Sequence, residues 1–312
     1  MTGGARRARG LARMALGVAL GGALGGCSGV AVGFVGDALA KGGGTYARDD
    51  DLELVAEATP FGLKTMESLL DAEPEHRGLL MAATRGFVQY AFAFVQSEAD
   101  YVEATDFRRA AELRRRAKRL YHRAIQYGVR GLDGEYEGFL TRLRTDAPAT
   151  LAEVADEHED EDVPLLYWTS LAWAASVALD KDDAALAADL DLVEAMMHLG
   201  FRMEPDFGEG AFHDFFVVWY GGRPAAAGGS DARAEEHLSA SLQASGGKRL
   251  APLVSFAESV CVKQQNRARF QELLKRALDF DVDSAPAHRL ANLVSQRRAR
   301  WLLDRQDDLF LE

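Results

Sequence analysis

The sequence is poor in cysteine, proline and basic side chains, and each shortage excludes a class of protein. Two cysteines in 312 residues allow no disulfide framework. Only 8 prolines are present and strand-like alternation is nearly absent, which favours helices throughout. The 36 basic side chains are outnumbered by 48 acidic ones, and this balance disfavours nucleic acid as a partner, because its phosphates require clustered cations.

Motifs of catalytic and metal sites are also missing. The sequence has no G-x-S-x-G elbow, no P-loop and no H-E-x-x-H. The acidic segment 155–164 lacks a D-x-D-x-D register and is interpreted as a solvated loop between helices. Glu194 and His198 are spaced i,i+4 without two further metal ligands, and His213-Asp214 is placed at the polar edge of a helix. The sequence therefore predicts no catalytic residue, no metal site and no cofactor, and a protein that is not an enzyme.

The first 26 residues have the pattern of a cleaved secretory signal. They contain four arginines and no acidic residue. Residues 14–26 are a run of 13 apolar or small residues, which is too short for a membrane-spanning helix of about 20 residues. The segment LGGC, 24–27, then has the form of a lipobox, in which small side chains admit extended backbone to a peptidase and the cysteine thiol takes a diacylglycerol. We predict cleavage before Cys27, lipidation of Cys27 and a lipid anchor into the membrane. No later run approaches 18 uninterrupted apolar residues, so no further spanning segment is expected.

Cleavage of the signal would leave a strongly acidic chain. The mature protein keeps 32 basic against 48 acidic side chains, a net charge near −16. Anionic lipid repels such a surface, so the acyl chains would hold the protein at the bacterial envelope. Ser28 follows the cysteine in place of an aspartate, and the sorting habit of some bacteria then favours the inner leaflet of the outer membrane, facing the periplasm.

The mature chain divides into a tether and one helical domain. Residues 27–50 mix glycine with a weak apolar stretch and are interpreted as a flexible tether. Residues 51–312 are expected to form a single domain of tetratricopeptide-like repeats, in an all-α fold. Cys261 lies in the apolar stretch VSFAESVCV and is predicted to be a buried small hydrophobe rather than a reactive thiol.

The repeat prediction rests on the spacing of small and large residues along helices. The second helix of a tetratricopeptide repeat carries a small residue, a large one four later and a small one three after that. The spacing recurs irregularly, with 55 residues rather than 34 between the first two sets, and predicts a degenerate, curved antiparallel stack with a concave groove. Its four sets are Gly62, Met66 and Leu69; Ala117, Tyr121 and Ala124; Ala234, Leu238 and Ser241; and Phe270, Leu274 and Ala277.

Two aromatic stretches are candidates for an apolar ligand cavity. GFVQYAFAFVQ, 86–96, is apolar almost all round, and LLYWTSLAWAA, 165–175, has the same character. Plain core packing is the alternative, since aromatic residues at helical spacing usually belong to a core. The cavity candidates are Phe87, Tyr90, Phe92, Phe94, Tyr167 and Trp168.

Two further helices carry predictions. The basic segment 109–123 has Ala, Leu and Tyr at helical spacing among its arginines, and it is either a solvated surface helix or a helix that docks onto an acidic partner. Near the end of the chain, Leu290, Val294 and Trp301 are expected to close the last repeat as a cap.

Several segments together resemble one known family. GLKTMESLL, RGFVQYAFAFVQSEAD, RAKRLYHRA, EDVPLLYWTSLAWAA, LSASLQASGGKRLAP and LANLVSQRRARWLLDRQDDLF are similar to the T component of tetratricopeptide-associated TRAP transporters, the TatT family. The resemblance extends from about Asp37 to Phe310. The chain departs from it at Leu52 in DDDLELV, where a proline is expected, and this concerns one helix start.

The resemblance implies a lipid-anchored periplasmic protein of helical repeats that binds the solute-binding P component of the transporter. A pore or cleft that holds a hydrophobic small ligand is also implied, with transport itself carried out by separate membrane subunits. The family offers no catalytic residue to carry over, and only Cys27 transfers as a site. A general peptide-binding or protein-binding scaffold in envelope assembly is the alternative function, and assembly into a homo-oligomer is left open.

Overall fold

The computed structural model describes residues 44–180 and 187–311, and this part of the chain contains helices and no strand. The all-α fold class is therefore confirmed. The predicted signal sequence, Cys27 and most of the predicted tether lie outside the described residues.

The first half of the described chain is a series of helices with one π-helical insert, π1, at Ala91–Gln96. Its α-helices are α1 Gly44–Ala47, α2 Leu52–Ala72, α3 Arg77–Tyr90, α4 Ser97–Val102, α5 Phe107–Asp133, α6 Phe139–Thr145, α7 Ala147–Glu157 and α8 Asp162–Leu179.

The second half continues the series and contains a second π-helical insert, π2, at Ala257–Cys261. Four short 3-10 helices connect its elements, at Phe207–Glu209, Ala225–Ala227, Val282–Ser284 and Pro286–His288. Its α-helices are α9 Leu190–Met203, α10 Ala211–Gly221, α11 Asp231–Ala244, α12 Ala251–Phe256, α13 Arg267–Leu278, α14 Arg289–Asp304 and α15 Gln306–Leu309.

Short polar side chains determine where several helices begin. Each accepts a hydrogen bond from the backbone N–H three residues later, at 2.8–3.3 Å, and so satisfies one of the N–H groups that the first turn leaves without a partner. Helix α2 begins at Leu52, the position where a proline is expected, directly after the capping residue Asp51. The capping residues are Asp51, Asp106, Asp146, Ser230 and Asn266.

Helix α8 lies between the two parts of the core. One cluster of buried side chains comes mainly from α2 to α5, and the other comes mainly from α6 to α14. Trp168 and Leu171 of α8 pack against both clusters, which explains why this helix is apolar on nearly every side. Gly128 of α5 permits a close approach to α8, because a Cβ there would lie 1.9 Å from Thr169 Oγ1.

The spacing predicted for helical repeats identifies buried positions in three of the four sets. All members of the sets beginning at Ala117, Ala234 and Phe270 are buried. In α2, by contrast, Gly62 and its two partners are only partly buried, and the core is formed by Val55, Leu63 and Leu70. Any amphipathic helix buries one face in this way, so the tetratricopeptide repeat itself stays a prediction.

The two ends of the described chain meet. Helix α14 packs on α13, as a terminal cap would, and it also contacts α1 and α2. Arg289 Nη1 donates to the carbonyl oxygen of Arg48 at 3.0 Å, and Arg297 lies 3.3 Å from the Glu53 carboxylate. The ring of Trp301 lies 5.5 Å from that of Tyr101 in α4. Trp301, predicted to cap the last repeat, therefore packs against the N-terminal half of the chain.

One described helical stretch, Arg77–Val102, is long and apolar enough to cross a membrane by length and composition. It joins α3, π1 and α4 into 26 residues, and 56% of its apolar window is buried inside the structure. A helix in the core of a folded domain has the same composition. This stretch contains the first group of aromatic candidates.

Candidate binding surfaces

The two buried aromatic candidates of α3 are held by neighbours on α5. Phe87 is 2% exposed and stacks on Tyr127, with ring centroids 5.8 Å apart. Tyr90 is also buried, and its hydroxyl accepts a hydrogen bond from Arg116 Nη2 at 3.1 Å. Both residues therefore contribute to packing between α3 and α5.

The next two candidates lie on π1. Phe92 is 52% exposed and is one of the largest apolar side chains that the described surface presents to solvent. Phe94 is half-buried, and its ring is tilted against Tyr90 with centroids 6.0 Å apart. Ser97 Oγ donates to the carbonyl oxygen of Phe92 at 2.9 Å, five residues back. π-Helical turns of this kind often occur at functional sites.

The remaining two candidates lie in α8. Tyr167 is buried among aromatic rings and meets Trp168 and Phe212 edge to face, at centroid distances of 5.0 and 5.2 Å. Burial raises the pKa of the Tyr167 hydroxyl. Trp168 is half-buried beside it. The six candidates thus occupy two clusters of the core plus one exposed position, Phe92, and their role as a ligand cavity stays a prediction.

A group of histidines on α9, α10 and α11 was not recognised as a site in the sequence. The Nδ1 atoms of His213 and His237 lie 2.7 Å apart, so one ring donates a hydrogen bond to the other. Phe201 and Phe216 surround the pair at ring distances of 4.9 to 6.4 Å. Burial lowers the pKa of the His213 imidazole. Burial, together with charges on the neighbouring His213 and Arg233, lowers the pKa of His237 to about 4. The pair is therefore neutral at pH 7.

The interpretation of segment 155–164 as a solvated loop is wrong at its last aspartate. Asp162 is fully buried and forms an ion pair with Arg77 of α3. It also accepts hydrogen bonds from the Tyr136 hydroxyl at 2.6 Å and from the Glu159 backbone N–H at 2.8 Å. The other carboxylates from Asp156 to Asp160 are exposed, in agreement with the prediction.

His213 and Asp214 lie on the least buried side of α10, in agreement with the prediction, but Asp214 is paired rather than solvated. Its side chain accepts a hydrogen bond from Ser241 Oγ at 2.5 Å and forms an ion pair with Arg249, so it connects α10 to α11 and to the loop before α12. Burial raises the pKa of the Asp214 carboxyl, against the opposing effect of Arg249. Glu194 Oε1 lies 3.8 Å from His198 Nε2, whose pKa is lowered by burial. Residues 44–180 and 187–311 contain no group of three metal-ligating side chains that could hold an ion.

The prediction for Cys261 is confirmed. Its thiol is buried in π2 and is free. Burial raises the pKa of this thiol to about 11, so almost none of it is the reactive thiolate at neutral pH.

The helical core of the described residues defines an all-α protein. Residues 48–310 match the family described as TRAP transporter T-component, and this chain therefore belongs to that family. The resemblance found in the sequence is confirmed, and family membership gives the protein an accessory role in TRAP transport.

A curated relative is similar to most of this chain. An uncharacterized protein of Treponema pallidum (strain Nichols) is 33% identical over 270 residues, which cover 86% of this chain and 83% of the relative. The match covers most of both chains, so the two proteins share more than a local motif.

Proposed function

We propose that this protein docks the solute-binding P component of a TRAP transport system at the periplasmic face of the bacterial envelope. The observation that carries the proposal is the T-component match across residues 48–310, which includes all the long helices of the structure. Stacked helices present extended surfaces that suit the binding of another protein. An acidic, all-α scaffold of this size is consistent with an adaptor.

The docking proposal is tested by capture from the envelope. The full chain, purified in detergent with a C-terminal tag, is incubated with an envelope extract of its own organism, and the captured proteins are identified by mass spectrometry. Recovery of a TRAP-type solute-binding protein is the expected result. Recovery of assembly factors or unfolded chains instead would favour the general scaffold function and contradict the proposal.

We propose lipid anchoring at Cys27 as the means of localisation. A positive leader, a short apolar run and the segment LGGC support it, and the acidic mature chain has no comparable charge attraction for anionic lipid. Intact-mass analysis should show a chain that begins at Cys27 and carries acyl chains. The Cys27→Ser variant should lose both the cleavage and the membrane fraction, and an unmodified N-terminus in the parent chain would rule out the anchor.

We also propose that Phe92 and Phe94 contact an apolar ligand. Phe92 is exposed on a π-helical turn, whereas Phe87, Tyr90 and Tyr167 are buried and serve the core. Native mass spectrometry should show a lipid-like molecule on the parent chain that is lost in Phe92→Asp. Val218→Asp is the matched control, since Val218 is exposed to a similar extent on another helix. The ligand proposal fails if the parent chain carries no such species.

A further inference from the structure

A row of basic side chains follows the exposed side of α5. We define this row, the α5 arginine face, by Arg108, Arg115, Arg119, His122 and the uncharged Gln126; the exposed Glu112 also lies on this side of the helix and pairs with Arg109. The spacings of seven, four, three and four residues keep all five on one side of the helix. At 1.5 Å per residue the row is about 27 Å long. The part from Arg115 to Gln126 borders a shallow groove along the helix.

Among residues 44–180 and 187–311, the arginines of this face have no ion-pair partner. Arg108, Arg115 and Arg119 are exposed, and within the described ranges no carboxylate lies at ion-pair distance from any of them. Their neighbours on α5 behave differently. Arg114 lies 3.0 Å from Asp100, and Arg123 lies 2.9 Å from Glu67.

This mostly basic face lies on a molecule that is acidic overall. The chain has a net charge of −12, so carboxylates are in excess over the molecule as a whole. Arg115 and Arg119 nevertheless stand at i,i+4, where like charges repel each other and destabilise a helix. An acidic partner would relieve that repulsion and supply the missing carboxylates.

We propose that the α5 arginine face docks an acidic surface helix of the solute-binding P component, one that carries Asp or Glu at spacings of three, four and seven residues. This inference rests on the proposed docking function and assigns it a surface. The guanidinium fork of arginine pairs with a carboxylate through two hydrogen bonds, so a row of arginines fits a row of carboxylates in both charge and geometry.

A lipid surface fits this face less well than an acidic helix does. Helices that lie on a membrane insert large apolar side chains beside their basic ones. Between Arg108 and Gln126, no large apolar residue is exposed; the nearest exposed one is Phe107, at the start of the helix. The acidic remainder of the chain would also be repelled by anionic headgroups.

Charge reversal tests the inference on the full chain purified in detergent. The test variant is Arg115→Glu/Arg119→Glu, and the control is Arg276→Glu/Arg300→Glu. The two control arginines are also exposed and, in the part of the chain that the structure describes, also form no ion pair, so the net charge changes equally. Circular dichroism and thermal unfolding confirm that each variant is folded. Affinity for the purified P component is then measured by isothermal titration calorimetry at low and high NaCl.

We expect the test variant to weaken binding by at least about tenfold and the control variant by less than about twofold. The salt dependence of binding should also be smaller in the test variant, because fewer charge pairs remain to be screened. Equal weakening in both variants would show a general charge effect and would overturn the inference.

Other outcomes separate this inference from the docking function. If the parent chain binds the P component and the test variant binds it equally well, the docking function stands and the α5 arginine face is not its surface. If the parent chain does not bind the P component, both proposals fail.

Two parallel measurements test other partners for this face: binding to phosphatidylglycerol vesicles, and self-association by sedimentation velocity. Loss of vesicle binding or of self-association in the test variant, with P-component affinity unchanged, would assign the face to lipid or to a second copy and would overturn the inference.

Discussion

The buried ion pair between Arg77 and Asp162 gives the sharpest prediction about stability. The Asp162 carboxylate is fully buried, and it accepts hydrogen bonds from Arg77, the Tyr136 hydroxyl and the Glu159 backbone N–H. Arg77 Nε also donates to the Gly131 carbonyl oxygen at 3.2 Å. These bonds join α3, α5 and α8, so the pair holds three helices in position.

Arg77→Met would keep the length of the aliphatic side chain while removing its charge and its donors. The carboxylate of Asp162 would then be left without a counter-ion in a buried site. Removing one member of a buried pair costs about 3–5 kcal/mol, and we expect the lower end, about 3 kcal/mol, because the Arg77 side chain is 17% exposed. With a denaturant slope of about 3 kcal/mol/M, the urea midpoint should fall by about 1 M.

Urea unfolding followed by circular dichroism measures this loss, and Arg109→Met is the matched control. Arg109 and Glu112 form an exposed pair at 3.7 Å, so its loss should cost less than about 1 kcal/mol. The double variant Arg77→Met/Asp162→Leu should recover much of the stability, since no unpaired charge remains. A loss below about 1 kcal/mol in Arg77→Met, or one no larger than in the control, would refute the argument.

Three further predictions concern other parts of the core. Gly128→Ala should lower the free energy of unfolding by about 1–3 kcal/mol, because the new Cβ would meet Thr169 Oγ1. Gly134→Ala is the control and should not lower it, because no atom lies within 3.5 Å of a Cβ at that position. The folded protein binds fewer protons at His237 than the unfolded chain between about pH 6.5 and 4, so this residue lowers stability as the pH falls through that range. The melting temperature of His237→Gln should therefore fall less between pH 7 and 5 than that of the parent; an equal fall would contradict this. Cys261 should react with a thiol reagent only after unfolding, and rapid labelling of the native chain would contradict its burial.

The parts of the fold that depend on local spacing could be predicted from the sequence. Helical periodicity and the scarcity of proline are properties of short segments, and they gave the all-α class and the burial of Tyr121, Leu238 and Phe270. In α2 the same reasoning selected the set that begins at Gly62, which is only partly buried. It failed there because tertiary contacts with α3 decide which side of α2 faces the core.

Contacts between distant segments could not be predicted. Asp162 reads as one more carboxylate in an acidic run, and only the fold brings Arg77, 85 residues earlier, to it. Trp301 and Tyr101 meet because the last long helix packs against the N-terminal half of the described chain. His213 and His237 lie on different helices, and neither forms a recognisable motif with its sequence neighbours.

Direct binding between two purified proteins is the most decisive measurement for this protein. The full chain in detergent is titrated with the P component of a TRAP system from the same organism, and complex formation is followed by calorimetry and by light scattering after size exclusion. The docking function predicts a saturable complex of defined stoichiometry that weakens at high salt. Two folded proteins that elute separately, with no heat of binding at micromolar concentrations, would contradict it.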